Sequence, residues 1–159
     1  MIRLPGQIEV IAVGKMRSKH WRTAQDDYLK RLQRYGNVLL SEVKDVVGRS
    51  IPDAVGIVRE GEQLLNAAKN VQRVILLTPT GRQLSSEEFA RFLHQQVADY
   101  GRIAFLIGGP VGFSPDVIAA AHDEISLSPL TFTHELARVL LLEQLYRACT
   151  ILNGEKYHK

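Results

Sequence analysis

The segment from residue 134 to residue 159 holds most of the side chains that could do chemistry. His134, Arg138, Glu143 and Arg147 interrupt an otherwise apolar stretch. If this stretch is helical, residues four apart share a face, so Glu143 can pair with Arg147 and His134 lies beside Arg138. Charges on an apolar helix are costly to bury unless they are paired. The pattern therefore predicts either ion pairs at an interface or an active site.

The chain ends in an aromatic side chain, an imidazole and a cation: Tyr157, His158 and Lys159. Imidazole changes its charge near neutral pH, so His158 is the best candidate for a general base. Terminal residues usually fray, and an end without a role is the alternative interpretation.

Two loops offer binding surfaces. Residues 108–112, Gly-Gly-Pro-Val-Gly, join an apolar run to a helix start, where glycines let a backbone approach a ligand closely. Their spacing does not match the dinucleotide fingerprint, and the chain has no Gly-Lys-Ser/Thr phosphate loop. Residues 126–134 mix hydroxyl groups with Leu and Phe, a composition suited to surrounding an adenine. Each loop alone could equally be a structural connection.

Several other chemistries lack the residues they need. The five histidines, at positions 20, 94, 122, 134 and 158, have no paired spacing, so no metal site is expected. Cys149 is the only cysteine and lies in the apolar stretch, which excludes an internal disulfide and disfavours a cysteine nucleophile. No Gly-x-Ser-x-Gly motif of the hydrolases is present.

Composition is that of a globular domain, with 45% hydrophobic and 23% charged residues in 159. One domain spanning residues 1–159 is expected. No apolar run approaches the ~20 residues of a membrane span, and residues 1–6 do not resemble a signal peptide. We therefore expect a cytoplasmic protein without a membrane partner.

A basic cluster lies near the amino end. Residues 15–34 contain seven Lys and Arg and two Asp, in a chain whose formal net charge is +3. Such a cluster fits contact with a polyanion, above all nucleic acid, although on the cluster alone a solvated helix face is the favoured interpretation. The residues expected to contact phosphate are Lys15, Arg17, Lys19 and Arg22, and later in the chain Arg138.

Hydrophobic periodicity predicts five strands alternating with five helices. The strands are expected over 8–13, 38–43, 74–77, 103–107 and 125–127, with a Thr-Pro-Thr-Gly turn closing the third at 78–81. The helices are expected over 21–34, 53–70, 85 to about 100, from 114, and 133 to about 152. This alternation is typical of an α/β fold, a parallel sheet with helices on both faces that binds ligands beyond the carboxyl ends of its strands.

The last helix is apolar on nearly every side, which requires cover on every side. A second copy of the chain is the favoured cover, and a central position within one monomer is the alternative. Its length, roughly 30 Å, separates the 157–159 tail from the 127–132 loop. We therefore expect the tail to serve the partner subunit of a homodimer.

Seven segments together resemble one family, at residues 12–15, 27–32, 105–112, 126–134, 138, 142–148 and 157–159. They include Gly-Gly-Pro-Val-Gly, Ser-Leu-Ser-Pro-Leu-Thr-Phe-Thr-His, Leu-Glu-Gln-Leu-Tyr-Arg-Ala and Tyr-His-Lys. The chain resembles the RlmH family of SPOUT-class methyltransferases, which modify N3 of a pseudouridine in 23S ribosomal RNA. The resemblance implies an α/β fold with a C-terminal trefoil knot, a homodimer, and S-adenosylmethionine as the methyl donor.

The resemblance also assigns site residues. It implies cofactor contacts from Leu77, Gly108, Leu127, Ser128, Pro129, Leu130, Thr131 and Phe132. For the reaction that it implies, the candidate catalytic residues are His134, Glu143, Arg147, Tyr157, His158 and Lys159. Arg147, oriented by Glu143, would stabilise negative charge on the base. Two residues depart from the family pattern: Thr133 replaces a Pro, and Thr78 replaces an acidic residue beside the cofactor.

Two other functions remain as alternatives. One is a different nucleotide-binding α/β enzyme that uses the 108–112 glycines for phosphate, although both diagnostic motifs are missing. The other is a non-catalytic module that binds RNA or the ribosome through residues 15–34. A chain of this size has little surface for reading sequence, so a methyltransferase substrate within the assembled ribosome is expected.

Overall fold

The computed structural model describes all of residues 1–159. Five parallel strands form one sheet in the order β2-β1-β4-β3-β5. The strands are β1 Gln7–Val13, β2 Asn37–Val43, β3 Arg73–Gln83, β4 Arg102–Ile107 and β5 Asp123–Ser126. The helices are α1 Lys19–Leu32, α2 Asp53–Ala67, α3 Ser86–Tyr100, α4 Pro115–Ala120 and α5 His134–Leu152. The predicted α/β fold with a parallel sheet is confirmed.

Alternating side chains of the strands pack into two separate hydrophobic cores, one on each face of the sheet. In β1, Ile8 and Val10 pack with the α1, α3 and α5 side, whereas Ile11 and Val13 pack with the α2 and α4 side. This alternation follows from the two-residue period of a strand. Both faces of the sheet are thereby covered, as predicted, and each fully buried Ile or Val contributes about 1.5–3 kcal/mol.

Helix α5 lies between α1 and α3 on one face of the sheet. None of its residues is exposed, and Leu141, Leu142 and Leu145 are fully buried. The central position within one chain therefore accounts for a helix that is apolar all round. Helices α1 and α3 supply lateral cover within one chain, and cover of the half-buried part of α5 by a second subunit stays a prediction.

Strand β3 differs most from the sequence-based expectation. The turn expected at 78–81 does not end the strand, which runs on to Gln83 with a shift in its register against β5 between Leu77 and Arg82. Gly81 allows this irregularity, since a Cβ there would lie 2.6–2.8 Å from the backbone of Ile125. The carboxyl end of β3 is therefore a bulged extension beside β5.

Helix starts follow the sequence signals closely. Ser85 and Glu88 form the predicted capping box of α3, and Ser114 caps α4 ahead of Pro115. Thr133 caps α5, with its hydroxyl 3.4 Å from the Leu136 amide that donates to it. The residue that departs from the family pattern thus gains a capping role. None of the five helices combines the length and the hydropathy of a membrane span.

Candidate active site

The three segments assigned to the cofactor lie at neighbouring strand ends. Leu77 of β3 pairs with Ile107 of β4 on one side and with Ile125 of β5 on the other. Gly108 directly follows Ile107, and Leu127 follows the end of β5. The sheet order therefore brings the 77, 108 and 127–132 segments to one edge, where parallel sheets bind ligands.

The first cavity, about 310 Å³ in volume, opens beside these strand ends. Leu127 and Phe132 line it. The Ser126 hydroxyl lies 2.9 Å from the carbonyl oxygen of Ser128 and 3.1 Å from that of Pro79, which ties the 127–132 loop to the β3 extension. The loop is thus held against the sheet at its start.

The other residues assigned to the cofactor do not line this cavity. Pro129, Leu130 and Thr131 are exposed, with Leu130 72% exposed. A Cβ on Gly108 would lie 3.2 Å from the Phe113 ring, so this glycine permits close packing of the loop on itself. The structure therefore brings the segments together, although only two of their side chains face the cavity.

Sequence reasoning missed seven residues that line this cavity: Arg82, Leu84, Ser86, Phe89, Ile125, Leu140 and Gln144. Ser86 donates from its hydroxyl to Gln144 Oε1 at 3.0 Å, across 58 residues of sequence. The only sequence signals were the position of Ser86 in the capping box and that of Gln144 beside Glu143. The Thr78 hydroxyl, directly after Leu77, donates to Glu124 Oε2 at 3.3 Å. A carboxylate therefore lies beside this end of the sheet.

The tail and the middle of α5 form a second group of contacts, which we call the tail cluster: Glu143, Arg147, Tyr157 and His158. Arg147 donates to Glu143 Oε1 from Nε at 3.1 Å and from Nη2 at 2.7 Å. This hydrogen bonding raises the pKa of Arg147 above its usual value. The Tyr157 hydroxyl donates to the same oxygen at 3.0 Å, and the guanidinium lies 4.8 Å from the Tyr157 ring centre.

Both ring nitrogens of His158 have partners. Nδ1 lies 3.2 Å from Arg147 Nη1, and Nε2 lies 2.8 Å from Glu87 Oε1. Because a guanidinium only donates, the contact with Arg147 requires Nδ1 to accept, which leaves Nε2 as the donor to Glu87. The hydrogen bond with His158 lowers the pKa of Glu87. His158 must leave Arg147 before it can accept a proton from a substrate. Lys159 is exposed.

The tail folds back along its own helix. Gly154 turns the chain with a φ of 64°, and the Tyr35 hydroxyl lies 2.8 Å from both carboxylate oxygens of Glu155. Burial, followed by this hydrogen bond, raises the pKa of Tyr35 to about 12. The sharp turn at 153–154 thus brings the tail back to the middle of its own helix. The hydrogen bonds of Tyr157 and His158 go to Glu143, Arg147 and Glu87 and not to the 127–132 loop, so service of the tail to a partner subunit stays a prediction.

The tail cluster is continuous with the first cavity. Gln144, which lines the cavity, donates from Nε2 to Glu143 Oε2 at 2.8 Å. Ser86 of the cavity wall is adjacent in sequence to Glu87, the partner of His158. A ligand in the cavity would therefore lie beside the charged groups of the tail cluster.

His134 does not belong to the tail cluster. It lies at the start of α5, thirteen residues before Arg147, which corresponds to roughly 20 Å along the helix axis. It lines a second cavity together with Lys15 and Arg17, and its buried Nδ1 has no hydrogen-bond partner. Of the six residues predicted to be catalytic, four therefore form the tail cluster, His134 lies at the second cavity, and Lys159 is exposed at the end of the chain.

Arg138 was wrongly assigned to RNA contact. Its side chain is fully buried, pairs with Glu42 Oε2 at 2.5 Å and donates to the Gly14 carbonyl oxygen at 2.9 Å. A guanidinium without exposed surface does not reach an RNA phosphate. Glu42 also accepts from the Met16 amide at 2.8 Å, so Arg138 fixes the turn after β1. The other four basic residues, Lys15, Arg17, Lys19 and Arg22, are exposed around this turn.

Glu135, in the first helical turn of α5, also stabilises the loop that follows β1. Its carboxylate accepts from the Ser18 amide at 2.9 Å and from the Arg17 amide, and these bonds lower its pKa. A lowered folded-state pKa stabilises the protein above the unfolded value of about 4.3, and the contribution is lost as the pH falls through the lowered value.

Glu135→Gln should therefore be less stable than wild type at neutral pH. Its urea-unfolding free energy should fall less between about pH 5 and pH 2 than that of wild type. The exposed Glu62→Gln substitution on α2 is the matched control. Identical pH slopes for wild type and Glu135→Gln would contradict this role.

The structure contains no group of three or more His, Cys, Asp or Glu residues placed to hold a metal ion. The lone Cys149 is buried, and burial raises its pKa to about 12. A neutral, enclosed thiol is inert as a nucleophile.

Solved structures share this architecture. A "probable methylase family protein" from Haemophilus influenzae superposes with a TM-score of 0.58 over 96% of this chain and 70% of the other, at 16% identity. A "probable methyltransferase" from Bordetella pertussis gives 0.57 over 91% of this chain and 96% of the other, at 15% identity. At these identities the similarity establishes the fold.

Sequence comparison establishes the family. The family model described as "Predicted SPOUT methyltransferase" matches residues 7–158. A ribosomal RNA large subunit methyltransferase H from Geotalea daltonii is 44% identical over 154 residues, covering 96% of this chain and 99% of the relative. Its counterpart from Limosilactobacillus fermentum is 40% identical over 159 residues, with the same coverage. With the parallel sheet and the loops at its carboxyl edge, these matches show that the chain belongs to the SPOUT methyltransferase family.

Proposed function

We propose that this chain transfers a methyl group from S-adenosylmethionine to N3 of a pseudouridine in 23S ribosomal RNA. The observation that supports this best is the meeting of the 77, 108 and 127–132 segments at one sheet edge, beside a cavity continuous with the tail cluster. Relatives that match nearly the whole chain are named as methyltransferases of large-subunit ribosomal RNA. A ribosomal substrate would place the activity in the cytoplasm.

The residues at the first cavity fit the cofactor in size and chemistry. Its volume, about 310 Å³, is at the lower end of the range of roughly 300–1,000 Å³ for small-molecule sites. Ile125, Leu127 and Phe132 give it an apolar wall that suits an adenine, and Ser126 and Gln144 add polar groups. When bound, the sulfonium supplies an activated methyl group that needs no metal.

The tail cluster would act on the acceptor base. Arg147 carries a permanent positive charge and is held in orientation by two hydrogen bonds to Glu143, so it can stabilise negative charge on a carbonyl of the base. Tyr157, 38% exposed, can stack on the base. His158 can accept the N3 proton once its Nδ1 leaves Arg147.

The exposed basic residues around the first turn would hold RNA phosphates. A double substitution, Lys15→Glu with Lys19→Glu, should weaken RNA or ribosome binding and lower the slope of log affinity against log salt by about 2. Cofactor affinity should not change, because neither residue lines the first cavity.

The control replaces two exposed residues elsewhere, Lys69 and Arg102, with Glu. The measurement is a filter-binding series across salt concentrations. A salt slope equal to that of wild type would show that the residues around the turn form only a solvated surface.

We also propose a homodimer whose interface includes the loops at the first cavity. Leu130 and Phe132 of the 127–132 loop are 72% and 37% exposed, and apolar side chains exposed together on a surface favour association. Leu130→Asp should therefore shift the protein toward monomer in sedimentation velocity. Val58→Asp, an exposed position on α2, is the matched control. An unchanged sedimentation profile for Leu130→Asp would exclude this face.

Calorimetry separates the proposed function from the nucleotide-binding alternative. S-adenosylmethionine should bind with or without EDTA, and ATP and NAD should not. Gln144→Leu, which removes two polar contacts of the cavity wall, should weaken cofactor binding. Binding of ATP or NAD in place of S-adenosylmethionine would contradict the proposal.

A further inference from the structure

The second cavity lies beyond the carboxyl ends of β1, β2 and β4 and has a volume of about 440 Å³. Its walls come from the turn after β1, the loop after β2, the turn after β4 and the start of α5. It shares no lining residue with the first cavity, so a ligand here would occupy a separate site. The volume lies within the range of roughly 300–1,000 Å³ for small-molecule sites and is sufficient for one nucleotide.

Side chains of α2 hold the wall that follows β2. Gln63 accepts from the Lys44 amide at 3.2 Å and donates to the Lys44 carbonyl oxygen at 3.1 Å. Glu60 Oε2 accepts from the amides of Val46 and Val47 at 2.8 and 3.0 Å. The chain itself therefore shapes this wall, and a wall fixed in advance lowers the entropic cost of binding a ligand.

The floor of the cavity holds two polar atoms without partners. Glu60 is 2% exposed, and its Oε1 receives no hydrogen bond from the chain. A Cβ on Gly109 would lie 3.0 Å from this oxygen, so the glycine keeps it accessible. His134 lines the same cavity, and its Nδ1 is also buried without a partner. Because buried polar atoms are nearly always hydrogen-bonded, a molecule in the cavity must pair with both, and Glu60 requires a donor.

The mouth of the cavity is positively charged. Lys15, Arg17 and Arg49 line it, and all three are exposed. One carboxylate, Asp45, lies 3.5 Å from Arg17 and 3.2 Å from Arg49. Three positive charges and one negative charge leave a formal charge of +2 over these four side chains. The ligand that fits the cavity therefore combines an anion at the mouth with hydrogen-bond donors at the floor.

We propose that the second cavity binds a guanine nucleotide, with the base on Glu60 and the phosphate at the cations of the mouth. Among the four RNA bases, only guanine presents two adjacent donors, N1–H and the 2-amino group, from which one carboxylate oxygen can accept together. Adenine and cytosine place a ring-nitrogen lone pair beside their amino group, and uracil flanks its N3–H with two carbonyl oxygens. Each of these bases would bring an acceptor against a buried acceptor, which disfavours its binding.

The remaining features of the cavity fit the sugar and the phosphate. Ribose hydroxyl groups can pair with Nδ1 of His134, and Lys15, which forms no ion pair within the chain, is available to the phosphate. The inference does not depend on methyl transfer, because it stands on residues that do not line the first cavity.

Three nucleotides with the same ribose and phosphate isolate the contribution of the base. Guanosine, inosine and adenosine 5′-monophosphates are titrated by NMR without cofactor. The inosine base lacks only the 2-amino group, and adenine also lacks N1–H. Wild type should bind the guanosine nucleotide about tenfold or more tightly than the adenosine nucleotide, with inosine between them. The amide signals of Gly14 and Gly109 should shift, and that of Leu127 should not.

Glu60→Gln should abolish this preference. Its carbonyl oxygen can still accept from the two loop amides, while its NH2 group takes the position of Oε1 and faces the guanine donors with a donor. Glu62→Gln, exposed on the same helix, is the matched control and should keep the preference. Lys15→Glu should weaken all three nucleotides alike, because it removes a phosphate contact and no base contact.

A second variant covers the case in which Glu60→Gln does not fold, as judged by thermal unfolding. Gly109→Ala places a methyl group against Oε1 and should also reduce the preference for guanine. The φ angle of Gly109 is not positive, so alanine is compatible with the backbone there.

The guanine nucleotide could be free or part of an RNA strand, and a pentanucleotide with a single guanosine among uridines distinguishes the two. For an RNA strand, the pentanucleotide should bind more tightly than the mononucleotide and lose affinity more steeply with salt, because further phosphates reach Lys19 and Arg22. For a free nucleotide, the mononucleotide should bind at least as tightly as the pentanucleotide. Either result supports the guanine site.

Three results would overturn the inference: equal affinities of wild type for the guanosine and adenosine nucleotides, no binding of any guanine probe, or a preference that persists in Glu60→Gln. Shifts at Leu127 in place of Gly14 and Gly109 would do the same, because they would place the nucleotide in the first cavity. Calorimetry with S-adenosylmethionine on the same preparation tests the proposed function separately, so failure of one leaves the other in place.

Discussion

Arg147→Ala is expected to reduce methyl transfer about 10²–10³-fold while leaving S-adenosylmethionine affinity within about twofold. The substitution removes the only permanent positive charge of the tail cluster. It also removes the partners of Glu143 and His158 and the cation that lies over the Tyr157 ring. Arg147 does not line the first cavity, so cofactor binding should persist.

Single-turnover transfer to ribosomal particles measures this effect. Arg59→Ala, an exposed position on the opposite face of the sheet, should retain wild-type activity. Arg147→Lys keeps the charge but cannot make both bonds to Glu143, so its activity should be intermediate. Full activity in Arg147→Ala would remove the tail cluster from the reaction, and loss of cofactor binding would give Arg147 a structural role instead.

Arg138→Ala is expected to destabilise the fold by about 2–5 kcal/mol, because it opens a cavity in the core and leaves a buried carbonyl oxygen without its partner. Arg138 is fully buried and donates to the Gly14 carbonyl oxygen, whereas Glu42, 33% exposed, keeps its hydrogen bond from the Met16 amide. Urea unfolding measures the free energy. A loss below about 1 kcal/mol, the value of an exposed ion pair, would show that the contact is not structural.

A paired substitution separates the charge from the packing. Arg138→Met with Glu42→Gln replaces the buried charge by an apolar side chain of similar length and should recover part of the lost stability. Arg91→Ala, exposed on α3, should change stability by less than about 0.5 kcal/mol.

The sheet and its helices were predictable because the signals are local. The apolar run of β4 and the capping box of α3 each specify an element from a few adjacent residues. In a parallel sheet the loops that follow the strands lie along one edge. The sequence therefore also predicts that the 108 and 127–132 segments lie close together. The bulge of β3 was not predictable from sequence. Its Thr-Pro-Thr-Gly segment is typical of a turn, and only the pairing with β5 extends the strand.

The site was less predictable because its contacts span the chain. Arg138 has the same helical spacing to His134 as Arg147 has to Glu143, yet its partner is Glu42, 96 residues earlier. On α2, Glu60 is buried whereas the other two carboxylates of the helix, Asp53 and Glu62, are exposed, and residue type alone does not distinguish the three. The fold-back of the tail depends on Gly154 and on Tyr35 holding Glu155, neither of which a local pattern indicates.

The central claim is methylation of N3 of a pseudouridine in 23S ribosomal RNA, and mass spectrometry of that RNA tests it most directly. RNA from a strain lacking the protein should lose one methyl group from one pseudouridine. The purified protein with S-adenosylmethionine should restore it on ribosomes, and the Arg147→Ala variant should not. An unchanged nucleoside profile in the deletion strain, or a methyl group lost from a residue other than a pseudouridine, would contradict the account.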